Sequence, residues 1–212
     1  MRVLWISALV VVLDQLSKAA VVQLMHRHES IRLLGDWLKL TYTENPGMAF
    51  GIMFGPPGLV TVFSLVATVL VGWYLWSVRS GYTPYRASLA MVLGGALGNI
   101  IDRVFYGVLM GYDGFFLGHV VDFIHVDLGY FIIPEIVPLL GGSYIALFPI
   151  WNVADMAIVG GVVGILIFQK TFHRQFLQQH HEEEEHVPAA TNGQADARYA
   201  SPQAEEKHNA EE

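Results

Sequence analysis

Ionisable side chains set inside long apolar runs constrain this chain more than anything else in it. Residues 3–25, 57–77, 87–106 and 148–172 are predominantly apolar and long enough to cross a bilayer, which takes about 20 residues. Apolar residues fall on every face of each run, so none reads as the amphipathic helix of a soluble domain. Yet Asp14 and Lys18 lie in the first run, Asp102 and Arg103 in the third, and Asp155 in the fourth. A charge at the bilayer centre costs roughly 2.5–3.5 kcal/mol on insertion scales. Such residues persist where they are paired or put to use.

Composition supports the membrane reading. The chain is 53% hydrophobic and 15% charged, whereas soluble domains are about 25% charged. The net charge of −7 is a property of the C-terminal tail, which holds nine of the 19 acidic residues after residue 172 and only Arg174, Arg198 and Lys207 against them. The rest is close to neutral, with no basic footprint for nucleic acid. There are no cysteines, which excludes disulfides, a thiol nucleophile and Cys-based metal sites. Carboxylate, hydroxyl and imidazole chemistry remain.

The first run follows Arg2 as a signal peptide would, but Asp14 and Lys18 interrupt it and it is too long for an h-region, so it is read as a retained span. Lys and Arg in the flanks set orientation. Arg2, Arg79, Arg86, Lys170 and Arg174 place both termini and the short loop between spans two and three on the cytoplasmic side. No Lys or Arg occurs between Arg103 and Lys170, so segments 26–55 and 107–147 are expected outside, although Arg27, Arg32 and Lys39 run against the rule. Leu38, Leu40 and Tyr42 alternate with Lys39, Thr41 and Thr43 as in a strand, and Asn45-Pro46-Gly47 breaks it. The second outer segment is too broken to span and is read as interfacial. The expected fold class is an all-α membrane protein, four transmembrane helices with a small extracytoplasmic β-sheet on the outer leaflet. Residues 1–172 form the membrane domain and 173–212 an acidic cytoplasmic tail, expected to be disordered after a brief helical extension over 175–179. His180, His181 and His186 in that tail are read as solvated rather than as metal ligands.

Orientation fixes depth. Span three runs outward and span four inward, so Asn99, Asp102 and Arg103 share a level with Asn152 and Asp155. At about 1.5 Å per residue, Asp155 is expected about 10 Å into a helix that starts at Phe148. Asp122, in Gly118-His119-Val120-Val121-Asp122-Phe123, lies at the membrane rim. Three acids from separate segments thus converge near the outer leaflet. Two neighbouring carboxylates share a proton, because repulsion and low dielectric oppose a second ionisation. Such a pair suits peptide hydrolysis by general acid–base catalysis. Asp14 and Lys18, at i and i+4, neutralise each other on one helical face. Gly94 and Gly98, with Gly160, Gly161 and Gly164, mark close helix contacts.

Five motifs occur in order along residues 1–172. They are Asp14-Gln15-Leu16-Ser17-Lys18, then Asn45-Pro46-Gly47-Met48-Ala49-Phe50-Gly51, then Gly94-Gly95-Ala96-Leu97-Gly98-Asn99-Ile100-Ile101-Asp102-Arg103, then Val120-Val121-Asp122-Phe123, and last Phe148-Pro149-Ile150-Trp151-Asn152-Val153-Ala154-Asp155. Together they resemble the prolipoprotein signal peptidase (signal peptidase II) family. The resemblance implies an intramembrane aspartic endopeptidase of the bacterial cytoplasmic membrane. Such an enzyme removes signal peptides just before a cysteine that carries diacylglycerol. It implies a catalytic dyad of Asp122 and Asp155, with Asn99 and Asn152 hydrogen-bonding around it. Asn45 and Arg103 would contact substrate backbone or shape the pocket, and Asp14, Lys18 and Asp102 would support. It implies prolipoprotein substrates and membrane lipid as partners, a monomer, and no cofactor, metal or nucleic acid. Trp151 stands where the family has phenylalanine. Residues 111–116, about 128–147 and the acidic tail depart from the family pattern, and 128–147 would act as a lid or a partner contact.

Rival readings are testable. A dyad of Asp102 with Asp155 ranks lower because Arg103 is expected to partner Asp102. His119, Asp122 and His125 would line one face if that segment were helical and could then hold a metal, although no H-E-x-x-H motif occurs. A serine hydrolase lacks G-x-S-x-G. A transporter using Asp14, Asp102 and Asp155 as relay carboxylates requires them spread through the membrane depth. A scaffold, in which every charge is a bundle staple, leaves the shared level of the Asn and Asp residues unexplained.

Overall fold

A computed structural model describes residues 2–49, 52–53, 56, 58–136, 141–142 and 144–185. The chain divides into two compact units, Met1–Phe172 and His173–Glu212. In the first unit, helices α1 (Leu4–Leu24), α2 (Leu59–Ser77) and α3 (Thr83–Ile101) are followed by the start of α5 (Val153–Glu185). A π-helical turn, Asp102–Tyr106, and a last turn, α4 (Gly107–Leu109), prolong α3. Four apolar lengths result, the third reaching from Thr83 to Leu109 and the fourth from Val153 to Gln175. Trp5, Phe63, Leu70, Trp73 and Leu166 point outward while Ser7, Asp14, Lys18, Thr61 and Ser88 are buried. Apolar outside and polar inside is the arrangement hydrocarbon demands.

Helix α3 is the hub, and its glycines are the reason. A methyl group on Gly94 would stand 2.8 Å from the Ser7 carbonyl oxygen, and one on Gly98 only 2.6 Å from the Asp14 carboxylate. On Gly95 it would overlap the Ala154 carbonyl of α5. One short glycine cluster therefore seats α1 and α5 against the same helix.

Strands β1 (Ser30–Leu34), β2 (Leu38–Asn45), β5 (Val120–Val126) and β8 (Ile150–Trp151) make an antiparallel sheet in the order β1-β2-β5-β8. Two-stranded pieces pair β3 (Met48–Ala49) with β4 (Ile52–Met53) and β6 (Tyr130–Ile132) with β7 (Tyr144–Ala146). Tyr42, Val121 and Phe123 from the sheet pack with Val21, Met25 and Tyr106, which fixes the sheet to the ends of α1 and the third span. A bulge between Leu40 and Thr43 resets the register so that Thr43 faces Asp122.

Several expectations change. The fourth span was expected from residue 148, but its helix opens at Val153. Ile150 and Trp151 are drawn instead into pairing with His125 and Ile124, and Pro149 has no N–H to give a helix. Asp155 therefore sits in the first helical turn, not about 10 Å along it. The third helix starts at Thr83, with Pro84 in its first turn. In the second unit the helix continues to Glu185, beyond the extension expected over 175–179. His186 and the tail after it lie outside the described residues, as do the side chains of His180 and His181. Within 128–147 the β6–β7 pair exposes Tyr130, Phe131 and Ile132.

Candidate active site

The last residues before α5 build one half of the site. Asn152 accepts the Asp155 backbone N–H on its side-chain oxygen at 2.9 Å, and its own N–H reaches Asp155 Oδ2 at 3.3 Å. This reciprocal pair is a capping box with an aspartate at the third position. It satisfies helix-end donors and fixes the Asp155 carboxylate. The Asn152 amide then donates to Asp122 Oδ1 at 2.7 Å and to the Val121 carbonyl at 3.3 Å. A single buried asparagine thereby holds both acids.

Asp122 arrives from β5. Its neighbours Val121 and Phe123 face the apolar cluster, so strand alternation turns Asp122 to the other side. It is 4% exposed. Burial, reinforced by the Asp155 charge, pushes its carboxyl up to about 7 against the opposing bonds from Asn152 and Asn45. A cleft of about 270 Å³ opens beside it, lined by Thr43, Glu44, Asn45, Pro46, Pro149 and Ile150. Asn45 also accepts the Gly47 N–H at 2.9 Å. Gly47 has a positive φ of 104° and lies so close to Arg103 that a methyl there would be 3.3 Å from Nη1. The Asn-Pro-Gly turn and Arg103 thus share one side of the site.

Behind the acids is a buried polar layer. Asn99 donates to Asp155 Oδ1 at 2.8 Å and accepts from Asn152 at 3.1 Å and from Lys18 Nζ at 3.0 Å. Lys18 is also 2.8 Å from Asp14 Oδ2 and 2.8 Å from Asp102 Oδ2, all three side chains being fully buried. Gln15 donates to Asp102 Oδ1 at 2.8 Å and to Asp14 Oδ2 at 3.2 Å. Tyr106 donates to Gln15 at 3.1 Å.

The expected site residues thus meet in one place, with two changes. Asp102 is bonded to Lys18 and Gln15, which come across from α1 at the glycine contact, and Arg103 acts on it only as a nearby charge, after Asp122. Asp14 and Lys18 do not neutralise each other as an isolated pair, because Lys18 also reaches Asp102 and Asn99 and so underlies the acids directly. Gln15 carries no role in the sequence reading beyond its place in the Asp14-Gln15-Leu16-Ser17-Lys18 motif, yet it bridges Asp14 and Asp102. Glu44, which lines the cleft, has no role in the sequence reading although it directly precedes Asn45 in the motif.

The metal alternative fails on secondary structure. Val120–Val126 is a strand, so ligand spacings of three do not share a face. His125 is bonded to Thr41 at 2.9 Å, and no cluster of three or more metal-binding side chains occurs among the described residues.

Four membrane-length helices, a small antiparallel sheet and two buried acids held by one asparagine beside a polar cleft fit a multi-pass membrane hydrolase of the aspartic kind. Residues 6–172 match the signal peptidase (SPase) II family. The lipoprotein signal peptidase of Amoebophilus asiaticus is 36% identical, covering 82% of this chain and 80% of its own. That of Chlorobium phaeobacteroides is 35% identical, covering 78% and 88%. A solved bacterial membrane enzyme superposes with a TM-score of 0.57 at 26% identity, over 80% of this chain and 88% of that one. This chain belongs to the signal peptidase II family. It is an aspartic-type endopeptidase that removes signal peptides from prolipoproteins.

Proposed function

We propose that Asp122 and Asp155 are the catalytic dyad, and the observation that carries this is Asn152 bonded to both carboxylates. One acid is ionised and the other protonated. The ionised carboxylate takes a proton from water as its oxygen adds to the scissile carbonyl carbon. The protonated one gives its proton to the carbonyl oxygen. In the tetrahedral intermediate that follows, the first acid returns its proton to the amide nitrogen and the C–N bond breaks. A hydroxyl proton of the intermediate passes back to the second acid. The products are a free carboxyl on the signal peptide and a free amine on the lipidated cysteine.

Asn45 and Arg103, flanking the cleft, bind substrate backbone. The lipid on the cysteine stays in the outer leaflet of the bacterial cytoplasmic membrane, with both termini of the enzyme cytoplasmic. Lys and Arg in the flanks support this orientation. The enzyme works as a monomer on membrane-embedded substrate, without metal, cofactor or nucleic acid. Residues 1–172 form the peptidase domain and 173–212 a cytoplasmic tail.

The test is turnover of a diacylglyceryl-modified precursor by purified protein and by Asp122→Asn and Asp155→Asn. Each variant is expected to lose at least about 1,000-fold in kcat, on the scale seen when one member of a catalytic unit is removed. Near wild-type turnover in either one refutes the assignment.

A further inference from the structure

The polar layer under the dyad has a symmetry that the reaction itself does not use. Asp102 Oδ2 accepts the backbone N–H of Val121 at 3.1 Å, and Asp14 Oδ1 accepts that of Ala154 at 3.0 Å. Val121 immediately precedes Asp122, and Ala154 immediately precedes Asp155. Each catalytic acid is thus carried on a stretch of chain whose preceding amide is gripped by a buried carboxylate. The two gripping carboxylates meet at one ammonium, Lys18 Nζ, 2.8 Å from each. Its third proton goes to Asn99 Oδ1 at 3.0 Å, and Asn99 bonds Asp155. All three ammonium donors are spent, so the geometry at this nitrogen is fully determined.

We infer that Lys18 is a positioning residue that sets the separation of the two catalytic carboxylates by tying together the acids that hold the chain ahead of each. The inference rests on the Asp122–Asp155 dyad proposed above. Acids on a strand and on a helix start have no covalent reason to stay at one spacing. The dyad nevertheless needs a fixed spacing, because the proton is shared only while the two charges repel. Gln15 bridges the same two carboxylates but is neutral and cannot offset their charge. Without the ammonium, two buried carboxylates face each other and one takes up a proton. A protonated carboxyl oxygen is a poorer acceptor for Val121 or Ala154, and one catalytic acid drifts.

The test is Lys18→Met, of similar length and uncharged, assayed on a diacylglyceryl-modified precursor across pH. Protein that elutes as a single species and binds a non-cleavable precursor with unchanged Kd is the sample to read. Its kcat is expected to fall about 100-fold, the scale of a 1 Å misplacement, with KM little changed. The alkaline limb of its kcat/KM profile is expected to leave its wild-type position, because the spacing of the acids changes and the ammonium that helps draw the proton off Asp122 is gone. A merely structural role lowers the amount of active protein and leaves the profile in place. If Lys18→Met does not fold, Asp14→Asn/Lys18→Met is read instead. It keeps an acceptor for Ala154 and a single buried charge while the tie between the two holding groups is still missing, so a smaller kcat loss with a moved limb is expected. A folded variant with wild-type kcat overturns the inference, and so does a lower kcat with an unmoved limb. Asp122→Asn and Asp155→Asn run alongside: if they are active the dyad itself is wrong, and if they are dead while the Lys18 variants are normal only the positioning role falls.

Discussion

Asn152 shows how much one side chain can fix. It caps α5, orients Asp155 and binds Asp122, so under the proposed dyad its loss is expected to combine a stability effect with a catalytic one. Asn152→Ala is expected to cost about 1 kcal/mol through the lost cap. It is also expected to lower kcat by about 100-fold, the scale of removing one aimed hydrogen-bond donor from an active site. Thermal midpoint and steady-state turnover measure the two separately; unchanged turnover would deny Asn152 its link to the dyad. The motifs brought Asn99, Asn152, Asp122 and Asp155 to one place in the sequence reading, while residue counting set Asp155 too deep because it began the fourth helix at Phe148. The sequence did not disclose the partner of Asp102. Spacing along one helix reveals an i, i+4 pair such as Asp14 and Lys18, but a neighbour arriving from another helix leaves no local periodicity.

At the scale of elements, the glycine cluster on α3 decides whether the acids can meet. Gly95 admits the Ala154 carbonyl where a methyl group would overlap it. Gly95→Ala is expected to cost about 1–3 kcal/mol, as overpacking does, and to reduce turnover by displacing the start of α5. Gly114→Ala is the control, since a methyl there meets nothing within 4 Å. Equal turnover in the two variants would contradict this account of the packing. Glycines at 94 and 98 announced a close contact in the sequence, whereas the role of Gly95 depended on where α5 begins. That start was misread because Phe148 to Trp151 is as apolar as a helix. The choice between strand and helix was made by β5, which offers Ile150 and Trp151 a pairing edge. The bulge in β2 and the π-turn at Asp102–Tyr106 were likewise set by tertiary neighbours. Asp102 opens that turn and reaches Lys18, and the Arg103 carbonyl accepts the Gly118 N–H at 2.8 Å.

At the scale of the whole molecule, the spans, the small sheet and the peptidase family were legible because five motifs fall in order on four apolar runs. The β6–β7 pair was not, since nothing in residues 128–147 distinguishes a hairpin from an interfacial loop. If catalysis depends on carboxylates alone, turnover of purified protein is expected to be unaffected by a strong chelator. Loss of activity restored by zinc would point to a metal instead. The central claim is that two acids share one proton, and the pH dependence of kcat/KM on a diacylglyceryl-modified precursor tests it most directly, since that ratio reports the free enzyme. Asp122, held up to about 7 by burial and by Asp155, keeps its proton below that pH and loses it above. The expected profile is a bell, falling on the acid side as the second carboxylate gains a proton. On the alkaline side it falls from near pH 7 by about tenfold per pH unit, the slope of a single essential proton. A rate that stays level from pH 5 to pH 9, roughly the range over which such a bell must turn, would contradict the account.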